Sequence, residues 1–403
     1  VQTSQLKSDT KSTSASKSWL LVLGIILIAA NLRAPLTSVG PLIGTIRDDL
    51  GISNTLAGFM TTLPLLAFAL LSPIAPKLAR RFGTSSVLFG SLVLLLIGMA
   101  IRSSWGIGTL LIGTIILGLA ISICNVLMPS FIKEKYPLKI GMMIGVYSVA
   151  MNLCGAVASG VSVPLANQAG LGWNGALGIW SLLALAALFW WIPQLSRTQQ
   201  QKAKTSALNE HRTNLWKSSL AWQVTLFMGL QSMLFYVVVS WLPDILKSQG
   251  MSSDSAGWTL SFMQLAILPI TFLVPILAGR MKNQVALMLL TAAFFFIGIG
   301  GLLSGNHTLV LLWSVLIGVG SGCSFSLAMM FFGLRTTNAH DAAELSGMSQ
   351  SVGYLLAALG PTLFGYLHDA TNGWKVPLIV LLIISILMLI FGLASSRDRI
   401  IEA

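Results

Sequence analysis

Twelve apolar stretches of about 20 residues, separated by short polar intervals, leave this chain few ways to fold. A helix rises 1.5 Å per residue and crosses a hydrocarbon layer of about 30 Å in that length. Backbone groups inside such a layer cannot bond to water, so each stretch must satisfy its own hydrogen bonds as a helix. The stretches lie at about 19–46, 54–75, 84–102, 107–131, 141–165, 174–192, 219–246, 256–278, 285–303, 308–331, 342–367 and 376–394. Composition agrees. Only 9% of the residues are charged and 55% are hydrophobic, with a mean hydropathy of +0.83, whereas a soluble domain carries roughly 25% charged residues. The strand-length alternation of an outer-membrane barrel is absent. The predicted class is an all-α integral membrane protein with twelve transmembrane helices.

Basic residues set the expected orientation. Lys7, Lys11 and Lys17 precede the first span, Lys77, Arg80 and Arg81 follow the second, and Lys133, Lys135 and Lys139 follow the fourth. Arg197, Lys202, Lys204, Arg212 and Lys217 occupy the central linker, and Arg280, Lys282, Arg335, Arg397 and Arg399 complete that side. The other side has Arg47, Arg102, Lys247 and Lys375. With an even number of spans, this asymmetry places both termini in the cytoplasm and the protein in the cytoplasmic membrane. The net charge of +12 is dispersed over short loops, which argues against a nucleic-acid partner. The first apolar segment is too long for a signal peptide, contains Arg33 and lacks a small-residue cleavage pattern. Cys124, Cys154 and Cys323 all fall inside spans and read as small buried side chains. Neither a metal-ligand spacing nor a cofactor motif is present.

The chain also repeats itself. Gly51, Ser53, Ala57 and Gly58 recur as Gly250, Ser252, Ala256 and Gly257, an interval of about 200 residues. Trp173 recurs as Trp374, and Gly145 pairs with Gly347. The predicted organisation is a tail (1–18), a six-helix bundle (19–192), a linker (193–218), a second six-helix bundle (219–394) and a short tail (395–403). Six is even, so both copies enter the membrane from the same side, related by an axis along its normal. Two such bundles can rock about a central site.

Arg33 is the leading candidate for that site. It lies within the first span, with Asn31 before it, Pro35 after it and no acidic residue in the segment. An ionisable group at such depth is costly and marks a functional site by default. Its planar fork can give two parallel hydrogen bonds to a small anion or an electron-rich edge, and can stack on rings. The alternative is a structural Arg held by carbonyls between helices. Asn125, Asn152, Gln231, Tyr236, Gln264, Gln350 and Tyr354 are further polar residues at membrane depth. Gln350 and Tyr354, spaced i, i+4, share a face. For each amide, helix-to-helix bonding is the competing role. Phe235, Trp241 and Phe325 are aromatic candidates for shaping the cavity, whereas Trp19, Trp190 and Trp191 read as interfacial anchors.

Lys77, Arg80 and Arg81 are expected to form part of a cytoplasmic gate, in a tight turn where they meet helix ends or acidic partners. Gly320 and Gly322 allow close, sliding contacts in span 10, or simply pack it. No Asp or Glu lies deep in a span, which counts against an exporter of cationic drugs. The chain also lacks the clustered groups of a membrane enzyme and the domain or long loop of a receptor.

Four segments carry a family resemblance: NLRAPLTSVGPLI from Asn31, LSPIAPKLARRFG from Leu71, GLQSMLFYVVVSWLPDIL from Gly229 and LSGMSQSVGYLLAALGP from Leu345. They resemble the major facilitator superfamily, and within it the branch of cyanate permeases and nitroimidazole transporters. The loop after span 2 usually carries Gly and Asp before its basic residues, and Ser72 to Lys77 departs from that pattern. The resemblance implies a secondary transporter working by alternating access, while Arg33 points to a small anion or compact polar molecule (cyanate-like) as its substrate, with export of nitroimidazole-like or other small drugs as the alternative. It implies no cofactor and no partner subunit. A monomer with a co-transported or substrate-borne proton would suffice.

Overall fold

The computed structural model describes residues 2–52, 54–104, 106–205, 215–305 and 307–401. Ser53 and Arg212 lie outside them, as do the side chains of Lys7, Lys11, Lys17, Ala57, Gly58, Arg197, Lys202 and Lys204. The described residues are helical almost throughout. In chain order the helices are α1 (Gln2–Thr37), α2 (Val39–Leu50), α3 (Asn54–Leu71), α4 (Ala75–Phe82), α5 (Thr84–Arg102), α6 (Ile107–Lys135), α7 (Ile140–Asn167) and α8 (Gly172–Gly178). There follow α9 (Ser181–Thr205), α10 (Ser219–Ser248), α11 (Ser253–Arg280), α12 (Val285–Leu303), α13 (Val310–Leu334), α14 (Ala339–Thr371) and α15 (Lys375–Ser396).

Ten stretches among the described residues are long and apolar enough to cross a membrane, and a bent pair makes an eleventh. That pair, Thr62–Leu71 and Ala75–Phe82, is bent by 52°. Pro73 sits in the break and cannot donate to the helical ladder. The basic cluster therefore lies on the short helix α4, a correction to the expected tight turn. The predicted span at 342–367 falls on α14, which is not among these stretches. Its 33 residues are ample for a crossing, although Asp341 and Glu344 lower its apolarity. The first span, Trp19–Leu50, is broken at Ser38, three residues after Pro35.

By packing, the chain divides into two compact units. One comprises Val1–Thr61, Arg81–Cys124 and Ala150–Asn209, the other Thr62–Arg80, Asn125–Val149 and Glu210–Ala403. In the first, the amphipathic α2 turns Val39, Leu42 and Ile46 onto a core with Leu110, Trp173, Ala176 and Leu177. Trp173 donates its indole N–H to Asp49 (2.7 Å). In the second, α10 packs on α14 and α15, and α13 on α11 and α12.

Glycine makes the closest approaches, as expected where lipid offers no hydrophobic drive for helices to associate. A Cβ on Gly98 of α5 would lie 2.7 Å from the Leu117 nitrogen of α6, and one on Gly298 of α12 would lie 2.8 Å from the Trp313 carbonyl of α13. These two contacts recur at the interval of the repeat. So do Gly51 and Gly250, whose positive φ angles of 62° and 93° let the chain turn after α2 and α10. On Gly229 a Cβ would lie 3.1 Å from the Gly353 Cα, so α10 and α14 meet backbone to backbone.

Candidate functional site

Arg33 belongs to the first unit and is half-buried. Its aliphatic stem lies on the backbone of α7 at Gly155, where a Cβ would come within 2.5 Å of Arg33 Cγ and 3.2 Å of Arg33 Cβ. Thr37, one turn further along α1, donates its hydroxyl to the Gly155 carbonyl (2.8 Å). Arg102, fully buried at the end of α5, donates Nη1 to the Pro35 carbonyl (2.6 Å). Its Nε and Nη2 have no hydrogen-bond partner. Gly113 of α6 leaves the room it occupies. In sequence Arg102 reads only as an orientation charge at the end of the third span. Instead it pins the helix two residues beyond Arg33. Asn31 turns elsewhere, donating to the carbonyls of Leu27 (2.8 Å) and Leu183 (3.1 Å) and so joining α1 to α9. Asn152, half-buried on α7, sits one turn before Gly155.

The other predicted polar residues belong to the second unit. Asn125 on α6 accepts a hydrogen bond from the Tyr147 hydroxyl at its side-chain oxygen (3.0 Å) and one from Gln350 Nε2 at its carbonyl (3.2 Å). Gln350 also donates to the Ser346 hydroxyl (2.9 Å), while its buried Oε1 has no partner. One turn along, the ring of Tyr354 meets that of Phe68 at 5.1 Å, and Ser351 donates to the Ala69 carbonyl (2.6 Å). Asn125, Gln350 and Tyr354 thus come together where α3, α6, α7 and α14 meet. Gln231 is buried and turns its amide to Met228 and Ser232 of its own helix. Tyr236 is half-buried with its ring against Phe235 (5.4 Å). Gln264 is exposed on α11 with Ser261 one turn away. Trp241 donates to the Pro361 carbonyl (2.9 Å), and Phe325 is half-buried.

The end of this unit that carries the basic residues is tied by several polar contacts. Arg80 on α4 bonds to Glu344 and lies 3.2 Å from His340, both on α14. Lys77 and Arg81 are exposed, and the Arg81 guanidinium lies 5.3 Å from the Phe82 ring centre within the first unit. Lys133, near the end of α6, donates to the Gly333 carbonyl (2.8 Å), the Thr336 carbonyl and the Thr336 hydroxyl (2.9 Å). These are orphan acceptors at the C-terminal end of α13, where a cation is favoured. Gly145 seats α7 against the Phe272 carbonyl of α11 (3.0 Å from a Cβ), and Gly347 seats α14 against the Ser72 carbonyl (2.7 Å). Gly320 packs against Phe295 and Gly322 against Ile270, so both serve close packing of α13.

One reading changes. Trp191 is fully buried and donates to the Ser85 carbonyl (3.0 Å), so it is a core residue and not an interfacial anchor. Trp19 is 53% exposed, with its ring tilted by 60° against that of Trp190 at 5.7 Å. Gly155, Thr37 and Lys133 contact the candidate residues or helix ends in space, and their sequence context does not mark them. Lys133 looks like any orientation charge in sequence, and Gly155 is one of 38 glycines.

Residues 21–361 match the sequence profile of the Major Facilitator Superfamily. The chain belongs to the major facilitator superfamily. It is 50% identical over 386 residues to the uncharacterized transporter YycB of Bacillus subtilis (strain 168), covering 96% of this chain and 95% of that protein. It is 43% identical to the 2-nitroimidazole transporter of Escherichia coli (strain K12), over 94% of this chain and 96% of that one. Identity to the cyanate transport protein CynX of the same organism is 26%, over 88% and 91%. Among solved structures the proton:xylose symporter XylE superposes with a TM-score of 0.76 at 14% identity, over 96% of this chain and 98% of that one. The fold is that of the major facilitator superfamily, and the chain is a multi-pass membrane protein of this transporter family.

Proposed function

We propose that this protein is a secondary active transporter of the cytoplasmic membrane that recognises a small anion or compact polar molecule through Arg33. The reading takes residues 19–192 and 219–394 as the moving bundles, with both termini in the cytoplasm. The observation that carries it is the Arg33 side chain, half-buried within the first span and seated on Gly155. A guanidinium presents donors in a fixed fork that fits a planar, electron-rich edge. A nitro group offers such a two-oxygen edge, linear cyanate offers a terminal anionic acceptor to the same charge, and the relatives named for cyanate and 2-nitroimidazole support the reading. The greater identity to the second favours a nitroimidazole-like substrate, moved inward or outward, as the other reading. Asn152 lies on the same helix as the Arg33 seat and is the nearest candidate for a second contact. Gln264, exposed beside Ser261 in a membrane span, fits a wetted surface better than lipid. Asn125, Gln350 and Tyr354 also join helices, Gln231 and Tyr236 contact neighbours on their own helix, and all five are taken as further substrate-facing candidates. Arg80 with Glu344 and His340, joined by Lys133, forms the cytoplasmic gate, Lys77 and Arg81 extend its positive surface, and Gly320 and Gly322 support it through packing.

The test is uptake of labelled cyanate and of 2-nitroimidazole into vesicles reconstituted with the native chain, Arg33→Ala or Arg33→Lys. Both variants are expected to keep their melting temperature and lose at least ~90% of transport, since a charged hydrogen bond contributes about 1.5–3 kcal/mol. Native transport by Arg33→Ala overturns the assignment.

A further inference from the structure

We propose that Gly155 positions the Arg33 guanidinium, setting how far it projects from α1 toward substrate. The inference rests on the substrate role of Arg33 given above. Three observations meet at this turn of the chain. The Arg33 stem occupies the space in which any other residue at 155 would carry its Cβ, 2.5 Å from Cγ. Thr37 bonds to the carbonyl of Gly155 itself, which locks the register between α1 and α7 at that residue (2.8 Å). Arg102 holds the Pro35 carbonyl between them (2.6 Å), so the backbone that bears Arg33 is tethered on both sides of one turn. With the backbone held at Pro35 and Thr37, a methyl group at 155 cannot be accommodated by sliding α1. It must instead rotate the Arg33 stem, because contacts near 2.5 Å lie far inside van der Waals separation. A long side chain turned at its first bonds moves its fork by ångströms, and bidentate recognition does not tolerate that. Gly155 is thus a positioning residue that need not touch the substrate.

The experiment compares Gly155→Ala, Arg33→Ala and the double variant in the full chain, reading transport of the labelled substrate together with melting temperature in detergent. Gly155→Ala is expected to raise KM at least tenfold with Vmax within twofold of native, and to lower the melting temperature. The loss in melting temperature should shrink in the Arg33→Ala background, where Cγ is gone and only the 3.2 Å contact with Cβ remains. A native KM for Gly155→Ala, or an equal loss of melting temperature in both backgrounds, overturns the proposal. If Gly155→Ala does not fold, Thr37→Val replaces it. Loss of the hydroxyl bond is then expected to raise KM, and a native KM overturns the seat. Should Arg33→Ala itself transport normally, the substrate role of Arg33 fails. Should only the Gly155 and Thr37 variants be native, the seat alone fails.

Discussion

Arg102 and Arg335 are both buried, and each guanidinium is met by backbone carbonyls in place of a carboxylate. Arg335 donates to Ser395 (2.7 Å) and Ser396 (3.2 Å), and also to the side chain of Gln284. Gln284 in turn donates to the carbonyls of Ala278 (3.0 Å) and Met281 (3.1 Å). Burial lowers the pKa of Arg335 while the nearby Asp398 opposes the shift, and the group stays charged. One side chain therefore satisfies acceptors at the end of α15 and, through Gln284, at the end of α11. Arg335→Ala strands several buried acceptors, at about 1–3 kcal/mol for each unsatisfied group. It is expected to lower stability by at least ~3 kcal/mol in reversible detergent unfolding, with the substrate KM unchanged. Residue type and depth single out Arg33 from the sequence. They cannot separate Arg102 or Arg335 from ordinary loop charges, because burial at a helix end depends on which neighbours close over it.

At the scale of elements, Lys133 is the clearest case of a charge with a second task. Its ammonium supplies donors to the last turn of α13, tying α6 to that helix at the end rich in basic residues. Lys133→Met keeps the stem and removes these bonds. Spin labels at Leu138 and Thr337, both exposed and both in the second unit, are expected to show a distribution shifted to longer distances in this variant by double electron–electron resonance. An unchanged distribution would mean that the lysine is dispensable to the proposed gate. The Arg80–Glu344 pair is only partly buried and contributes less on its own. Much at this scale was legible. Gly51 and Gly250 repeat because each ends a helix in a conformation that favours glycine. Gly145 and Gly347 repeat because each admits a carbonyl of a neighbouring helix. The bend after α3 was less legible, since prolines occur inside α6, α7 and α10 as well without breaking them. Nor could spacing reveal that the Gln350 amide would bond to the backbone carbonyl of Asn125 across distant parts of the chain.

For the whole molecule the open variable is the driving force. A membrane potential negative inside opposes entry of a monovalent anion by roughly 2.3 kcal/mol per 100 mV, close to fiftyfold in accumulation. Asp341 and Glu344 lie in the first two turns of α14, and Arg33 does not release a proton. A proton would then travel on the substrate as its conjugate acid. Accumulation in vesicles is expected to follow an imposed pH gradient and to change less than twofold when a potassium diffusion potential of about 100 mV is added. A fiftyfold response to the potential would mean that the anion crosses with its charge uncompensated.

The touching backbones at Gly229 and Gly353 carry a consequence for motion. With only the side chains of Met228 and Leu356 flanking this crossing, α10 and α14 are expected to move as one body. A fluorophore or crosslink on either helix then reports the displacement of both, and a bulky residue at either glycine would uncouple them.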